Sequence, residues 1–412
     1  MSETQTRKTI YPVLFAIGSA HLINDSLQAV IPASFPILRD SLGLTYTQLG
    51  FITFMLYFTS SVMQPVVGMY ADARPSPRLL PVGMAVALLG MLGIALAQGY
   101  LTVLASVVLV GIASATFHPE GSRIAYMAAG NRRGLAQSIY QVGGNAGSAL
   151  APLMTAFIFY PFGQFGAISF TLLAAIGVVV QLYVSRWYGA HLALLPPRKP
   201  RKQQEQEQAA QAELSRKRRR NVNMALLLII LIVFGRTWYG SGITNYFVFY
   251  LMDGFSLSIP KAQVYIFLYL GAGVLGTFIG GPLADRYGRK SVILFSMLGA
   301  APLALLLPFV GSMWSYVLLF LLGVINHSSF SVTVVYVQEL VPGKIGTVSG
   351  LITGLAFGLG AIGAVALGGL IDLTGLREVM IATAFLPLLG VLGFLLPSDR
   401  KVREWTGTAG SN

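Results

Sequence analysis

The sequence has no cysteine. That excludes a disulfide, a thiolate metal site and a cysteine nucleophile. Charge is scarce as well: Asp, Glu, Lys and Arg make up 10% of 412 residues, against about 25% in a soluble domain. There is no Gly-Lys-Ser/Thr loop to cradle a nucleotide, so ATP is not the expected energy source, and no metal-binding motif occurs. Without a thiol, a nucleotide loop or a metal motif, an enzyme is not expected, and neither is a cofactor.

What fills the chain is apolar. Hydrophobic residues make up 55% and the mean hydropathy is +0.69. Glycine is abundant at 46 copies, as expected where helices approach closely in lipid. These values describe a polytopic membrane protein. The net charge of +13 resembles a nucleic-acid signal, but its placement argues against one. Arg7, Lys8, Arg74, Arg78, Arg132, Arg133, Arg286, Arg289, Lys290, Arg400, Lys401 and Arg403 all fall on one set of loops and termini. The alternate loops carry Arg39, Lys261 and Arg377. This is the positive-inside pattern, and it places both termini in the cytoplasm.

Twelve segments reach the length of about 20 residues that a bilayer requires. They are 10–38, 46–71, 79–98, 101–128, 134–159, 165–187, 223–251, 261–284, 291–309, 313–340, 346–370 and 376–397. The first contains His21, Asn24 and Asp25, a poor signal-peptide core, so it is expected to be retained. The expected fold is an all-α membrane protein of two six-helix bundles, 10–187 and 223–397. Residues 1–9 and 398–412 flank them in the cytoplasm. A basic linker over 188–222 joins the bundles, with ends suited to anionic lipid headgroups. The halves repeat. Gly68-Met69-Tyr70-Ala71-Asp72 ends the second span and Gly281-Pro282-Leu283-Ala284-Asp285 ends the eighth, 213 positions later. Gly134 and Gly346, which open the fifth and eleventh spans, lie 212 positions apart.

Charges inside spans are expensive and face a partner or a water-filled cavity. Asp25, Glu120, Arg123 and Arg236 lie there with His21, His118 and His327. Phe117-His118-Pro119-Glu120-Gly121-Ser122-Arg123 follows an uncharged run, and Glu120 and Arg123 are spaced i,i+3 to pair on one helical face. The pair either lines a transport path or only locks two helices together. His21, Asp25 and Gln28 share one face of the first helix. Gln141 and Asn145 belong to a polar stripe on the fifth span, Arg236 and Tyr239 are i,i+3 on the seventh, and Asn326 and His327 stand on the tenth.

Gly281 through Lys290 (GPLADRYGRK) resembles the cytoplasmic-loop signature of the major facilitator superfamily. The first-half copy, Gly68 to Arg78, keeps the Gly and Asp but has Pro75 and Pro77. Within that superfamily the chain resembles the fosmidomycin-resistance family of efflux pumps. His21-Leu22-Ile23-Asn24-Asp25, Gln64-Pro65-Val66-Val67-Gly68, Phe117-His118-Pro119-Glu120, Gly134 through Gly147, and Gln338-Glu339-Leu340-Val341-Pro342-Gly343 carry that resemblance. It implies a proton-driven exporter of the bacterial inner membrane acting on a small, anionic drug. Gly134, Gly143 and Gly147 match part of an antiporter signature and equally suit a helix-packing face.

The expected division of roles follows. Asp25 and Glu120 carry protons, because burial disfavours a charged carboxylate. His21, Gln28, His118, Arg123, Gln141, Asn145, Arg236, Tyr239, Asn326 and His327 bind substrate. Gly68, Asp72, Gly281, Asp285, Arg286, Gly288, Arg289 and Glu339 gate the cytoplasmic mouth. The expected partners are a small molecule, protons and the bilayer, with no nucleic acid, and the chain is expected to act as a monomer. The alternatives are an importer or uniporter of an anionic metabolite, and a non-transporting sensor.

Overall fold

Hydrocarbon offers the backbone no hydrogen bonds, so a long apolar run must satisfy its own N–H and C=O groups by forming a helix. The computed structural model follows that rule: it describes residues 8–130, 132–192, 216–341 and 345–406, and they hold no strand. The helices are α1 (Tyr11–Ala33), α2 (Phe35–Leu42), α3 (Tyr46–Ala73), α4 (Leu79–Ala95), α5 (Tyr100–Ala128), α6 (Arg133–Met154) and α7 (Ala167–Leu192). After the linker come α8 (Arg216–Phe255), α9 (Ile259–Tyr287), α10 (Arg289–Leu298), α11 (Ala300–Leu306), α12 (Ser312–His327), α13 (Phe330–Leu340), α14 (Ile345–Thr374), α15 (Leu376–Thr383) and α16 (Asp399–Thr406). A 3-10 segment, Leu386–Leu395, completes the last apolar run.

Among the described residues ten helices are long and apolar enough to cross a membrane. One of them, Leu135–Leu192, runs for 58 residues and holds both the fifth and the sixth expected spans. It reverses near Gly163, whose φ of +58° a side chain would resist. The shorter apolar helix Leu79–Ala95 supplies the third span. This is consistent with twelve. Large apolar side chains face outward, as lipid allows: Phe278 is 74% exposed and Met313 76%.

By compactness the chain divides into two units. The first comprises Met1–Leu195, Thr244–Phe267 and Ala364–Thr374; the second comprises Pro196–Ile243, Leu268–Gly363 and Gly375–Asn412. So α8, α9 and α14 each contribute to both units. The first unit has a core of Val13, Leu14, Ile17, Phe117, Ile124, Tyr140 and Tyr188. The second is built on Ile229, Val233, Ile293, Met297, Tyr336 and Val337, and Val402 from α16 is buried in it. Most of the expected linker, residues 193–215, lies outside the described residues, as does the side chain of Asp72.

Candidate functional site

In the first unit, α1 places His21 and Asp25 one turn apart, with His21 Nε2 3.2 Å from Asp25 Oδ2. The other oxygen, Oδ1, accepts from Asn24 Nδ2 at 2.9 Å and from Gln28 Nε2 at 3.5 Å. α5 adds His118, with Nε2 3.7 Å from Asp25 Oδ1. α6 adds Tyr140, whose backbone carbonyl lies 2.7 Å from His21 Nδ1 and whose ring stacks on the imidazole at 4.1 Å between centroids.

This arrangement constrains the proton. A carbonyl oxygen only accepts, so Nδ1 carries a hydrogen. A neutral ring would then point the bare lone pair of Nε2 at a carboxylate oxygen 3.2 Å away. The contact is attractive only with a proton between the two atoms, whichever atom owns it. His21, Asp25 and His118 each offer a donor atom within 4.8 Å of the others, the one grouping among the described residues that could hold a metal ion. Two imidazoles and a carboxylate suit zinc chemically. Asn24 and Gln28 both donate to Asp25 Oδ1, and Oδ2 faces His21.

Glycine makes this proximity possible. A methyl on Gly143 would run into the Gly18 carbonyl, and one on Gly147 into the Leu22 carbonyl. A methyl on Gly144 would sit 2.6 Å from Asp25 Oδ2. The glycine-bearing face of α6 is thus a packing face that lets it lie on α1 beside the carboxylate. Gln141 on the same helix is exposed and Asn145 is half-buried; neither joins the cluster.

Glu120 and Arg123 form the pair their spacing predicts, at 2.8 Å, with Glu120 fully buried. Tyr188 of α7 accepts a longer bond from Arg123 at 3.4 Å. Glu120 and Arg123 thus make an ion pair of their own, separate from the Asp25 contacts.

In the second unit, Arg236 of α8 is buried. Nη1 donates to Ser329 Oγ at 2.9 Å and to Thr333 Oγ1 at 3.4 Å, and Ser296 Oγ donates to Ser329 Oγ at 2.7 Å. Phe330 lies under the guanidinium at 5.6 Å. Among the described residues these partners are neutral, and no carboxylate pairs with Arg236. Nearby on α12, Asn326 Nδ2 donates to Tyr269 Oη at 2.9 Å, and the His327 ring lies 5.2 Å from the Tyr269 ring. The Tyr239 hydroxyl and Asn326 Oδ1 are buried without a hydrogen bond. The Arg236 guanidinium and the Tyr239 hydroxyl are donors, the groups from which an anion accepts, whereas Asn326 Oδ1 only accepts.

The signature loop is held by the tail. Gly288 has φ +86°, and a methyl there would sit 2.7 Å from Asp399 Oδ2. Asp399 accepts from the backbone N–H of Arg289 at 3.0 Å and of Lys290 at 3.4 Å, capping α10. The Arg289 guanidinium reaches Glu339 at 2.8 Å. Asp285 and Arg286 are exposed, the latter beside the Tyr287 ring at 5.2 Å. Gly281 meets nothing close, and a methyl on Gly68 would be 4.0 Å from Pro119.

Sequence reasoning missed Asn24, Tyr140, Tyr269, Ser296, Ser329, Thr333 and Asp399. The pair Ser328-Ser329, interrupting an apolar run, was the available signal: the tenth span breaks there, between α12 and α13.

Apolar helices with ionisable groups sequestered inside them point to a membrane transporter. The Major Facilitator Superfamily profile matches residues 17–364 and 240–411, and the chain belongs to that family. It is 57% identical over 397 residues to YfnC of Bacillus subtilis (strain 168), described as an uncharacterized MFS-type transporter; the match covers 96% of this chain and 95% of YfnC. It is 43% identical over 399 residues to the fosmidomycin resistance protein of Escherichia coli (strain K12), covering 97% and 96% of the two chains. By fold it resembles a crystallised bacterial homolog of the human lysosomal transporter Spinster, in its inward-facing and occupied conformation. There the TM-score is 0.73 at 18% identity, over 94% of this chain and 96% of the other.

Proposed function

We propose that this transporter exports a small anionic antibiotic of the fosmidomycin type in exchange for protons, by alternating access across the bacterial inner membrane. The observation that carries the reading is the approach of His21 Nε2 to Asp25 Oδ2, 3.2 Å apart inside a membrane-spanning bundle, a contact that a shared proton makes attractive. Asp25 is the carrier in this scheme, and His21 and His118 are the bases that receive and pass on its proton. Glu120 is paired within α5 by Arg123 at 2.8 Å and in this scheme stays ionised. Arg236 supports an anionic cargo, since its planar fork suits two oxygens of a phosphonate. The drug class comes from the E. coli relative. The basic loops support cytoplasmic termini. The gradient suffices as the energy source: the inside-negative potential is worth about 2.3 kcal/mol per charge per 100 mV, and it drives anions out and protons in.

The test uses proteoliposomes loaded with a pH-sensitive dye. Adding fosmidomycin should move protons with the wild-type protein and not with Asp25→Asn, in protein that stays monodisperse and still binds drug. Wild-type protein that moves drug with no proton flux under any imposed gradient would overturn the antiport reading in favour of a uniporter.

A further inference from the structure

The N-terminus of α3 is closed by a residue more than three hundred positions away. Thr45 and Gln48 form a capping box: Gln48 N donates to Thr45 Oγ1 at 3.2 Å, and Thr45 N to Gln48 Oε1 at 2.9 Å. That leaves the N–H groups of Tyr46 and Thr47, the usual orphans of a helix start. Asp372 of α14 takes both. Tyr46 N donates to Oδ1 at 3.0 Å and Thr47 N to Oδ2 at 2.7 Å, while Thr47 Oγ1 adds a third bond to Oδ2 at 2.6 Å. A carboxylate is also the charge that the positive end of a helix dipole favours.

The contact is not isolated. In the same unit Tyr246 Oη donates to the Ala364 carbonyl at 2.5 Å and lies 3.3 Å from the Tyr46 carbonyl. Thr53 Oγ1 donates to Asn245 Oδ1 at 2.6 Å, and Gln263 Nε2 to the Ala33 carbonyl at 2.7 Å. α3 and α14 touch through glycine. A methyl on Gly50 would run into the Ala364 carbonyl, and one on Gly368 into the Tyr46 carbonyl. Apart from Tyr246–Ala364, which ties α8 to α14, each of these bonds joins first-half residues to 244–267 or 364–374, the parts of α8, α9 and α14 that group with the first unit.

We propose that Asp372 is a gate residue. Its carboxylate on the α3 N-terminus is the latch that holds the transporter shut at the end opposite the basic loops, and it releases in each cycle. The position suits a latch. Asp372 is exposed, so water can replace it on both N–H groups when the helices part. The capping box stays with α3 and keeps its first turn wound after release. The inference rests on the alternating-access part of the proposed function, but on neither the proton nor the drug.

The native chain has no cysteine, so a single introduced one reports cleanly. Thr53→Cys puts the reporter at a buried position nearly two turns inside the latch, and gives up the Thr53–Asn245 bond equally in every background compared. Labelling of intact cells with a membrane-impermeant maleimide is followed without substrate, in that background and with Asp372→Asn added. Loss of the charged cap should raise the labelling rate about fivefold or more. Gly368→Ala, which forces α3 and α14 apart without touching the carboxylate, should raise it too, and Asp372→Glu should fall between. If Asp372→Asn is too unstable to assay, Thr47→Val in the same background reads the loss of the hydroxyl bond. Unchanged labelling in Asp372→Asn and Gly368→Ala overturns the latch. Because no drug or proton flux is read, failure of the antiport reading leaves this result standing, and the reverse holds as well.

Discussion

Replacing Arg123 with glutamine should harm this protein more than replacing Glu120, and replacing both should harm it less than either alone. Glu120 is 0% exposed, and its Oε1 accepts from Arg123 Nη1 at 2.8 Å. Arg123→Gln removes the countercharge from a carboxylate that has no route to water. Breaking a buried pair in this way costs about 3–5 kcal/mol. The Arg123 side chain is 19% exposed, so after Glu120→Gln the cation can still be hydrated. That change should cost about 1–3 kcal/mol. In the double variant two neutral amides face each other and no charge is stranded. Thermal unfolding in detergent reads the difference. At about 2–4 °C per kcal/mol for a unit of this size, Arg123→Gln should lower the midpoint by roughly 10 °C. The transport assay then separates anchoring from coupling. The double variant should keep drug-dependent proton flux if the proposed assignment of the proton to Asp25 holds, because the pair is internal to α5. A folded double variant with no flux refutes that reasoning and places the pair in the transport path. Glu120→Gln unfolding at a lower temperature than Arg123→Gln refutes the burial argument itself.

Two further outcomes follow from the same geometry. Gly144→Ala drives a methyl to 2.6 Å from Asp25 Oδ2, so it should abolish drug-dependent proton flux with every charged residue intact, at an overpacking cost of about 1–3 kcal/mol; proton flux and thermal midpoint in one preparation check it. Arg236→Lys keeps the charge but loses the fork, and losing one charge-assisted bond, worth about 1.5–3 kcal/mol, should weaken phosphonate binding about tenfold to a hundredfold, read by calorimetry.

Much of this architecture is legible in the order of residues. The spans stand out because hydrocarbon demands about 20 apolar residues whatever their tertiary setting. The Glu120–Arg123 pair is legible because i,i+3 spacing on a helix leaves those side chains little choice. His21 and Asp25 are legible for the same reason, one turn apart. What escapes is whatever needs a second helix to arrive. His118 turns toward Asp25 because α5 crosses α1, and no local spacing announces that crossing. Tyr140 contributes a carbonyl, an atom every residue has, so its side chain gave no sign. Arg236 is read easily as a cation, but its hydroxyl partners depend on where the tenth span breaks, at Ser328-Ser329. The helix-capping aspartates are the extreme case: Asp372 and Asp399 look like ordinary helix-end and tail residues until the fold brings them to the starts of α3 and α10.

The Asp399 cap has a bearing on biogenesis. The ribosome makes the signature loop about 110 residues before the carboxylate that closes it, and Asp399 follows the last apolar run. Throughout that interval α10 has left-over N–H groups at the membrane surface and Lys290 lacks the Phe394 and Leu396 carbonyls that later receive its ammonium. A nascent chain that has not yet reached the tail therefore carries the loop without its cap. Docking of α16, with Val402 buried, is the step that closes it.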